Sequence, residues 1–168
     1  MLKKIVMVML VVGIAGCGLR STDEKAQPKQ KAKAKVQKND YVAKGMEFLA
    51  NKDVANAIQN FDMAIRQDPE NLTNYIVLSQ VYYKLGNFER STDTLTAALK
   101  LDQENGEIYY LLAMSLSQND DTLDAAYLTA EKAVQMFIKE KNEPGLKKSV
   151  TLLKSLKDKK ESAVQQVY

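Results

Sequence analysis

The sequence repeats itself with a period of 34 residues. Tyr41, Tyr75 and Tyr109 are each separated by that spacing. Small side chains recur around them, at Gly45, Ala57, Ala64, Ser79, Ala98 and Ala113. A period of this length predicts a row of supersecondary units, each too small to bury its own apolar face, so that neighbouring units must stack to form a continuous core.

Each unit has the pattern of two amphipathic helices separated by a short break. The breaks are predicted at Lys52–Asp53, Gly86–Asn87 and Asp120–Asp121. Asx and glycine residues at these points can cap or stop helices. The space between the paired helices is predicted to be filled by Phe48, Phe61, Tyr82 and Leu95.

These residues resemble the tetratricopeptide repeat. The first unit carries the aromatic, small and proline positions of that pattern, at Tyr41, Gly45, Phe48, Ala57, Phe61, Ala64 and Pro69. The second unit departs from it with Ser79, Ser91 and Gln103 in place of glycine, alanine and proline. The third needs one inserted residue near "NDDT" to bring Ala126, Ala130 and Ala133 into register.

The resemblance implies an all-α fold, an α-solenoid of about three helix pairs in residues 39–139. The units are predicted at residues 38–71, 72–105 and 106–140, approximately. Residues 140–168 are predicted to form a C-terminal capping helix and tail, begun by the break at "EPG". Its apolar stripe is predicted to be Leu146, Val150, Leu153 and Leu156, opposite Lys147, Lys148, Lys154 and Lys157.

The N-terminus has the pattern of a secretory signal peptide, with Lys3 and Lys4 before an uncharged run too short to span a bilayer comfortably. Ile14, Ala15, Gly16 and Cys17 resemble the lipobox of bacterial lipoproteins. The resemblance implies that residues 1–16 are cleaved off between Gly16 and Cys17. Cys17 would then carry diacylglycerol and fatty acyl chains such as palmitate. The alternative is an ordinary signal peptide or weak anchor with an incidental cysteine.

Residues 17–38 contain few apolar side chains and seven basic ones, which predicts a disordered tether. Its charges would either meet anionic envelope polymers and lipids or simply keep the spacer solvated. Gly18 occupies a position where lipoproteins of the inner membrane often carry aspartate. The resemblance therefore favours the periplasmic face of an outer membrane, with the outer leaflet of a monoderm cell as the alternative.

Catalytic chemistry has little support in this composition. The chain has no histidine and one cysteine, so the usual general base and the common ligands of a zinc site are missing. We predict no catalytic residues, no metal site and no cofactor besides the lipid on Cys17. Asp120 with Asp121 or Asp124 could serve an enzyme acting on cell-wall polymer, but acids at a helix start are more simply explained by the helix dipole.

Charge argues against nucleic acid as the partner. Residues 39–137 carry 7 basic and 15 acidic side chains, a net charge of −8, while binding to a phosphate backbone needs a basic face. The basic residues are concentrated in the two ends of the chain, with net charges of +7 for residues 1–38 and +4 for residues 138–168.

In the family that the repeats resemble, the first helices of successive units line a concave groove. The resemblance implies that a protein or peptide partner contacts Val42, Met46, Leu49, Ile76, Gln80, Tyr83, Tyr110 and Met114. The same face would include Asn39, Ala50, Thr73, Lys84, Glu107, Ser117 and Gln118. Val42 and Met46 stand where the carboxylate clamp of co-chaperones needs lysine and asparagine, so capture of a terminal carboxylate is not expected. The alternative is that the C-terminal helix or a dimer partner covers this face.

The sequence therefore predicts a non-catalytic, membrane-tethered interaction scaffold in the bacterial cell envelope. Its architecture resembles small lipoproteins that assist the assembly of a pilus, secretion or outer-membrane complex. The alternative is a carrier or chaperone that binds apolar segments of envelope proteins. A single sharp partner would indicate the adaptor, and broad binding that follows hydrophobicity would indicate the carrier. The partner, the pathway and the oligomeric state stay open.

Overall fold

The structure, a computed structural model, describes residues 40–165 and contains only helices there. The α-helices are α1 Tyr41–Ala50, α2 Val54–Gln67, α3 Leu72–Lys84, α4 Phe88–Leu99, α5 Gly106–Leu116, α6 Leu123–Lys139 and α7 Glu143–Gln165. The predicted all-α class is confirmed. Among the described helices, none combines the length and apolar character needed to cross a bilayer. The predicted signal peptide, Cys17 and tether lie outside the described residues.

Asx side chains cap the helix starts at the predicted breaks. Asp53 Oδ1 accepts a hydrogen bond from the amide of Asn56 at 3.2 Å, and Asn87 Oδ1 accepts one from the amide of Arg90 at 3.2 Å. These caps satisfy backbone donors that have no partner inside the helix. The residue before each of these caps has a positive φ, 61° at Lys52 and 73° at Gly86. The backbone therefore reverses at equivalent points of the first two units.

In the second and third units, the repeated tyrosine is hydrogen-bonded to the loop before it. The Tyr75 hydroxyl donates to the carbonyl of Pro69 at 2.9 Å, and the Tyr109 hydroxyl donates to the carbonyl of Gln103 at 3.1 Å. The acceptor is a backbone oxygen in both cases. Glutamine can therefore replace proline in the second unit without loss of this contact.

Small residues let the paired helices approach large rings. Phe61, Leu95, Ile108 and Phe137 are among the fully buried side chains. A Cβ at Gly45 would lie 2.7 Å from the Phe61 ring, so only glycine fits there without movement. The small positions predicted from the repeat are all buried, in agreement with helix pairing around Phe61, Tyr82 and Leu95.

The third unit contains an inserted 3-10 turn at Asp120–Thr122. Asn119 Oδ1 caps it by accepting from the amide of Asp121 at 3.0 Å, and the Thr122 hydroxyl donates to the carbonyl of Leu116. Helix α6 begins directly after the turn. Its alanines, Ala126, Ala130 and Ala133, are completely buried, as the predicted insertion requires.

The predicted apolar stripe of α7 is wrong at Val150, which is 49% exposed. Of the other predicted positions, Leu156 is buried and Leu146 and Leu153 are partly buried. The positions that the prediction missed are Gly145 and Ser149, which are buried, and Leu152, which is partly buried. The cause is the ring of Phe137 on α6, against which the backbone of Gly145 packs with no room for a side chain. This contact fixes the rotation of α7 and leaves Val150 outside.

Helix α7 packs mainly against α6 and makes a smaller contact with α5. It therefore occupies the place that the first helix of a following unit would take. Its C-terminal half is held by charge, because Lys159 pairs with Asp120 at 2.7 Å and Lys160 pairs with Asp124 at 2.5 Å. The Lys159 ammonium also donates to the carbonyl of Ser117 at 3.1 Å.

Candidate functional site

Two adjoining cavities lie along the row formed by α3, α5 and α7. The smaller, of about 250 Å³, is lined by Ser79, Gln80, Tyr83, Lys84, Ser91, Leu111, Met114 and Ser115. The larger, of about 650 Å³, is lined by Tyr110, Met114, Pro144, Lys147, Lys148, Thr151, Leu152 and Ser155. Met114 belongs to both. We refer to the surface formed by these two sets of residues as the central groove.

The central groove contains four of the eight residues predicted to contact a partner, Gln80, Tyr83, Tyr110 and Met114. Met46 is 47% exposed on α1. The remaining three are half-buried: Val42 and Leu49 pack against the first core cluster, and Ile76 packs against the cluster around Leu95 and Ile108. Of the eight predicted residues, four therefore line the central groove, three pack against the core, and Met46 is exposed on α1.

Tyr83 is held in place from two sides. Its ring meets that of Phe88, at the start of α4, in an edge contact with centroids 5.3 Å apart and planes 65° apart. Its hydroxyl accepts a hydrogen bond from Gln118 Nε2 at 3.3 Å. Because Gln118 follows α5, this bond links the second unit to the third. A fixed aromatic side chain loses little conformational entropy when a ligand packs on it.

Tyr110 borders the larger cavity and is half-buried. Burial, the charge of Glu107 and the neighbouring Tyr83 together raise the pKa of the Tyr110 phenol above its ordinary value of 10, with burial the main cause. The phenol is therefore neutral at physiological pH. It offers an apolar ring with one hydroxyl that can donate or accept a hydrogen bond.

Sequence reasoning did not identify the α7 side of the groove. Lys147 and Lys148 were assigned to a solvent face, and Leu152 was not assigned to either face of α7, yet all three line the larger cavity beside Tyr110 and Met114. The signal that could have found them is the double lysine one residue beyond the "EPG" break, followed by an apolar residue about one helical turn later. Two small side chains of the repeat, Ser91 and Ser115, also reach the smaller cavity.

The paired acids considered for catalysis have a structural explanation. Asp120 and Asp124 form the ion pairs with α7 described above, and both lie at or near the start of α6. Acidic side chains at this end of a helix complement its dipole. Within residues 40–165, no cluster of three or more histidine, cysteine, aspartate or glutamate side chains is arranged to hold a metal ion.

Comparison with known proteins agrees with the repeat pattern. Residues 48–115 match the family model for the tetratricopeptide repeat. Superkiller protein 3 of Saccharomyces cerevisiae is 26% identical over 98 residues, a match that covers 57% of this chain and 7% of the yeast protein. The chain therefore spans only a small part of that relative.

Solved structures show the same fold at low identity. The Sgt2 tetratricopeptide repeat domain of Aspergillus fumigatus aligns with a TM-score of 0.63 and 20% identity, over 74% of this chain and 80% of that one. The second such domain of human RPAP3, in complex with an HSP70 peptide, gives 0.59 and 21%, over 70% and 92%. The type III secretion translocator chaperone SycD of Yersinia enterocolitica gives 0.62 and 15%, over 72% and 83%.

Tetratricopeptide repeat domains are in general non-catalytic modules for binding other proteins, and stacked repeats present extended concave surfaces for that purpose. The present chain shares their helix order, their small buried positions and their period. Residues 48–115 therefore match the tetratricopeptide repeat family, and the described helices around them have the tetratricopeptide repeat fold.

Proposed function

We propose that this chain is a lipid-anchored adaptor of the bacterial cell envelope. Cys17 carries the lipid, residues 17–38 form the tether, and the central groove binds a segment of a partner protein. A tether of this length has a root-mean-square reach of about 25 Å, which holds the repeats just off the bilayer. We place the anchor in the outer membrane, facing the periplasm, on the basis of Gly18.

The observation that carries the binding half of the proposal is an open groove with a preorganised floor. Helix α7 packs beside α5 and leaves Tyr110 and Met114 lining a cavity instead of covering them. Tyr83 is fixed by Phe88 and Gln118 before any ligand arrives. Aromatic and methionine side chains at such a surface suit a helix or an extended peptide.

The membrane half rests on the sequence around Cys17. Two or more acyl chains make anchoring stable, at about 0.8 kcal/mol for each buried methylene group. An anchored protein with a peptide-binding face suits the assembly of a pilus, secretion or outer-membrane complex, in which components must be held at the envelope. We propose this class of process and no individual pathway.

A second candidate function is that of a carrier or chaperone for apolar segments. It is favoured by Met46 and Met114, flexible side chains at the open face that could adapt to many sequences. One similar structure, SycD, is described as a secretion translocator chaperone. The two functions differ in selectivity, because a carrier would bind many segments weakly and an adaptor would retain one partner.

A crosslinking pull-down from membranes tests the proposal. The intact chain is compared with Cys17→Ser, with Tyr83→Ala/Tyr110→Ala, and with the control Leu101→Ala/Leu128→Ala, whose residues are exposed outside the groove. We expect Cys17→Ser to lose membrane association alone, and the tyrosine variant to lose its main partner while its melting temperature stays nearly unchanged. Partner capture that survives in the folded tyrosine variant would overturn the groove assignment. Many weakly retained proteins, in place of one, would favour the carrier.

A further inference from the structure

The cavities of the described helices differ in the charge of the residues that line them. The net negative charge of the repeats does not show this difference. The cavity beside α4 is lined by Glu89 and Asp93, and the one beside the start of α1 by Asp40 and Asp68, with no lysine in either. The central groove has the opposite lining, with Lys84, Lys147 and Lys148 and no carboxylate. An acidic repeat body thus presents a basic groove.

The groove lysines are unpaired, in contrast to three lysines near the C-terminal end of α7. Lys157, Lys159 and Lys160 form ion pairs with carboxylates of this chain. Neither Lys147 nor Lys148 has a carboxylate within ion-pair distance among the described residues, and both ammonium groups are on exposed residues beside the cavity. Their charge is therefore available to a ligand.

The groove beneath these lysines is apolar and concave. Tyr110, Met114 and Leu152 line the larger cavity, and Leu111 and Met114 line the smaller. Cavities of this kind accept individual apolar side chains, whereas a membrane surface needs an exposed face that lies flat on the head groups. The combination of apolar pockets with unpaired cations at the rim favours a peptide over a lipid surface.

We propose that the central groove selects a peptide segment that is both apolar and acidic. Its apolar side chains enter the two cavities, and its side-chain carboxylates pair with Lys147 and Lys148 at the α7 end and with Lys84 on α3. Helix α7 is then a specificity-determining wall of the groove as well as the cap of the repeats. This inference rests on the proposed function, since it names the chemistry of the partner of the same site.

The test selects peptides from a random dodecapeptide display library against the full chain. Binding of the enriched peptides is then measured to Tyr83→Ala/Tyr110→Ala, to Lys147→Gln/Lys148→Gln, and to Lys154→Gln/Lys157→Gln. The last variant removes the same charge from exposed positions of α7 that do not line the groove. It controls for the loss of charge by itself.

We expect enriched peptides to contain acidic and large apolar residues and to lose binding to the tyrosine variant. Their affinity should fall about tenfold in Lys147→Gln/Lys148→Gln, as for the loss of two exposed ion pairs, and stay unchanged in the control. Replacing the glutamates of a selected peptide with glutamine should lower its affinity for the native chain. The same replacement should cause no further loss of affinity for Lys147→Gln/Lys148→Gln.

Four outcomes would overturn the inference. Peptides that need the tyrosines but are neutral or basic, or that ignore the groove lysines, would refute it and leave the proposed function standing. Enrichment of no tyrosine-dependent peptide would contradict the proposed function as well. Failure to select acidic peptides, combined with binding to anionic phosphatidylglycerol vesicles that depends on Lys147 and Lys148, would assign the lysines to lipid head groups.

Discussion

Buried serine hydroxyls show how differently the same side chain can contribute to this fold. Ser91 Oγ donates to the carbonyl of Ser79 at 3.0 Å and lies 2.8 Å from Ser115 Oγ, so this one hydroxyl joins α3, α4 and α5 through two polar contacts. Ser149 on α7 is completely buried, yet its hydroxyl has no hydrogen-bond partner within residues 40–165. Burial of a polar group without a partner costs stability, whereas a bonded one contributes to it.

Replacing each of these serines with alanine should therefore give opposite results. Ser91→Ala removes two buried hydrogen bonds and should lower the free energy of unfolding by about 1–2 kcal/mol. Ser149→Ala removes an unpaired hydroxyl and should leave that free energy unchanged or raise it by up to about 1 kcal/mol. Urea denaturation followed by circular dichroism measures both. An equal loss in the two variants would show that Ser149 is bonded in solution.

The Tyr110 phenol provides a test of groove burial by pH. Its pKa is raised in the folded state, so the folded chain holds this proton to higher pH than the unfolded chain does. Its contribution to stability is present below the ordinary value near 10 and is lost as the pH rises toward the folded pKa. We expect Tyr110→Phe to flatten the alkaline loss of stability, measured as urea midpoints against pH. Tyr75→Phe, at a residue that does not line the groove, serves as the comparison, and identical profiles for the two would contradict the account.

Among the elements, α5, α6 and α7 meet at a single ring. Both Gly106 and Gly145 pack their backbones against Phe137, and a Cβ at either position would overlap that ring. Gly106 is held further by Glu140, whose Oε1 accepts a hydrogen bond from the Gly106 amide at 2.7 Å. The ring of one α6 residue therefore sets the approach of the helices on both sides.

Gly145→Ala should destabilise the domain even though alanine is the better helix former. Overlap with a packed ring typically costs about 1–3 kcal/mol, which exceeds the gain in helix propensity of about 1 kcal/mol. Lys154→Ala, exposed on the same helix, should cost little. Replacing the Phe137 ring with a smaller side chain should relieve the overlap. Phe137→Leu should therefore cost less stability in the Gly145→Ala background than in the native chain. Additive losses in this thermal unfolding cycle would show that the glycine and the ring do not act on each other.

The helix breaks followed from local chemistry and could be predicted. Asx caps at Asp53 and Asn87 act within one turn, so their positions can be inferred without knowledge of the fold. The rotation of α7 could not be predicted, because two stripes at helical spacing lead to Leu156. One passes through Val150 and the other through Gly145, Ser149 and Leu152. The choice between them is made by Phe137 from another helix. The α7 wall of the groove was missed for the same reason.

The described helices form a short stack in which each helix pair depends on its neighbours to bury its apolar side chains. Its apolar residues form three clusters along the stack, around Phe61, around Leu95 and around Ala130. The last cluster includes Leu156 of α7, so this helix closes the core at the end of the repeats. The same helix carries the lysines that border the central groove, which joins stability and partner selection in one element.

Site-specific photocrosslinking in bacterial cells that express the full chain would decide whether this groove is where a partner binds. A photoreactive amino acid is placed at Gln80, which is exposed and lines the smaller cavity, or at Leu128, which is 64% exposed on α6 outside the groove. We predict one discrete crosslinked protein from Gln80, lost when Tyr83→Ala/Tyr110→Ala is added, and none from Leu128. A discrete product from Leu128 with none from Gln80 would contradict the account and place the binding surface elsewhere on the repeats.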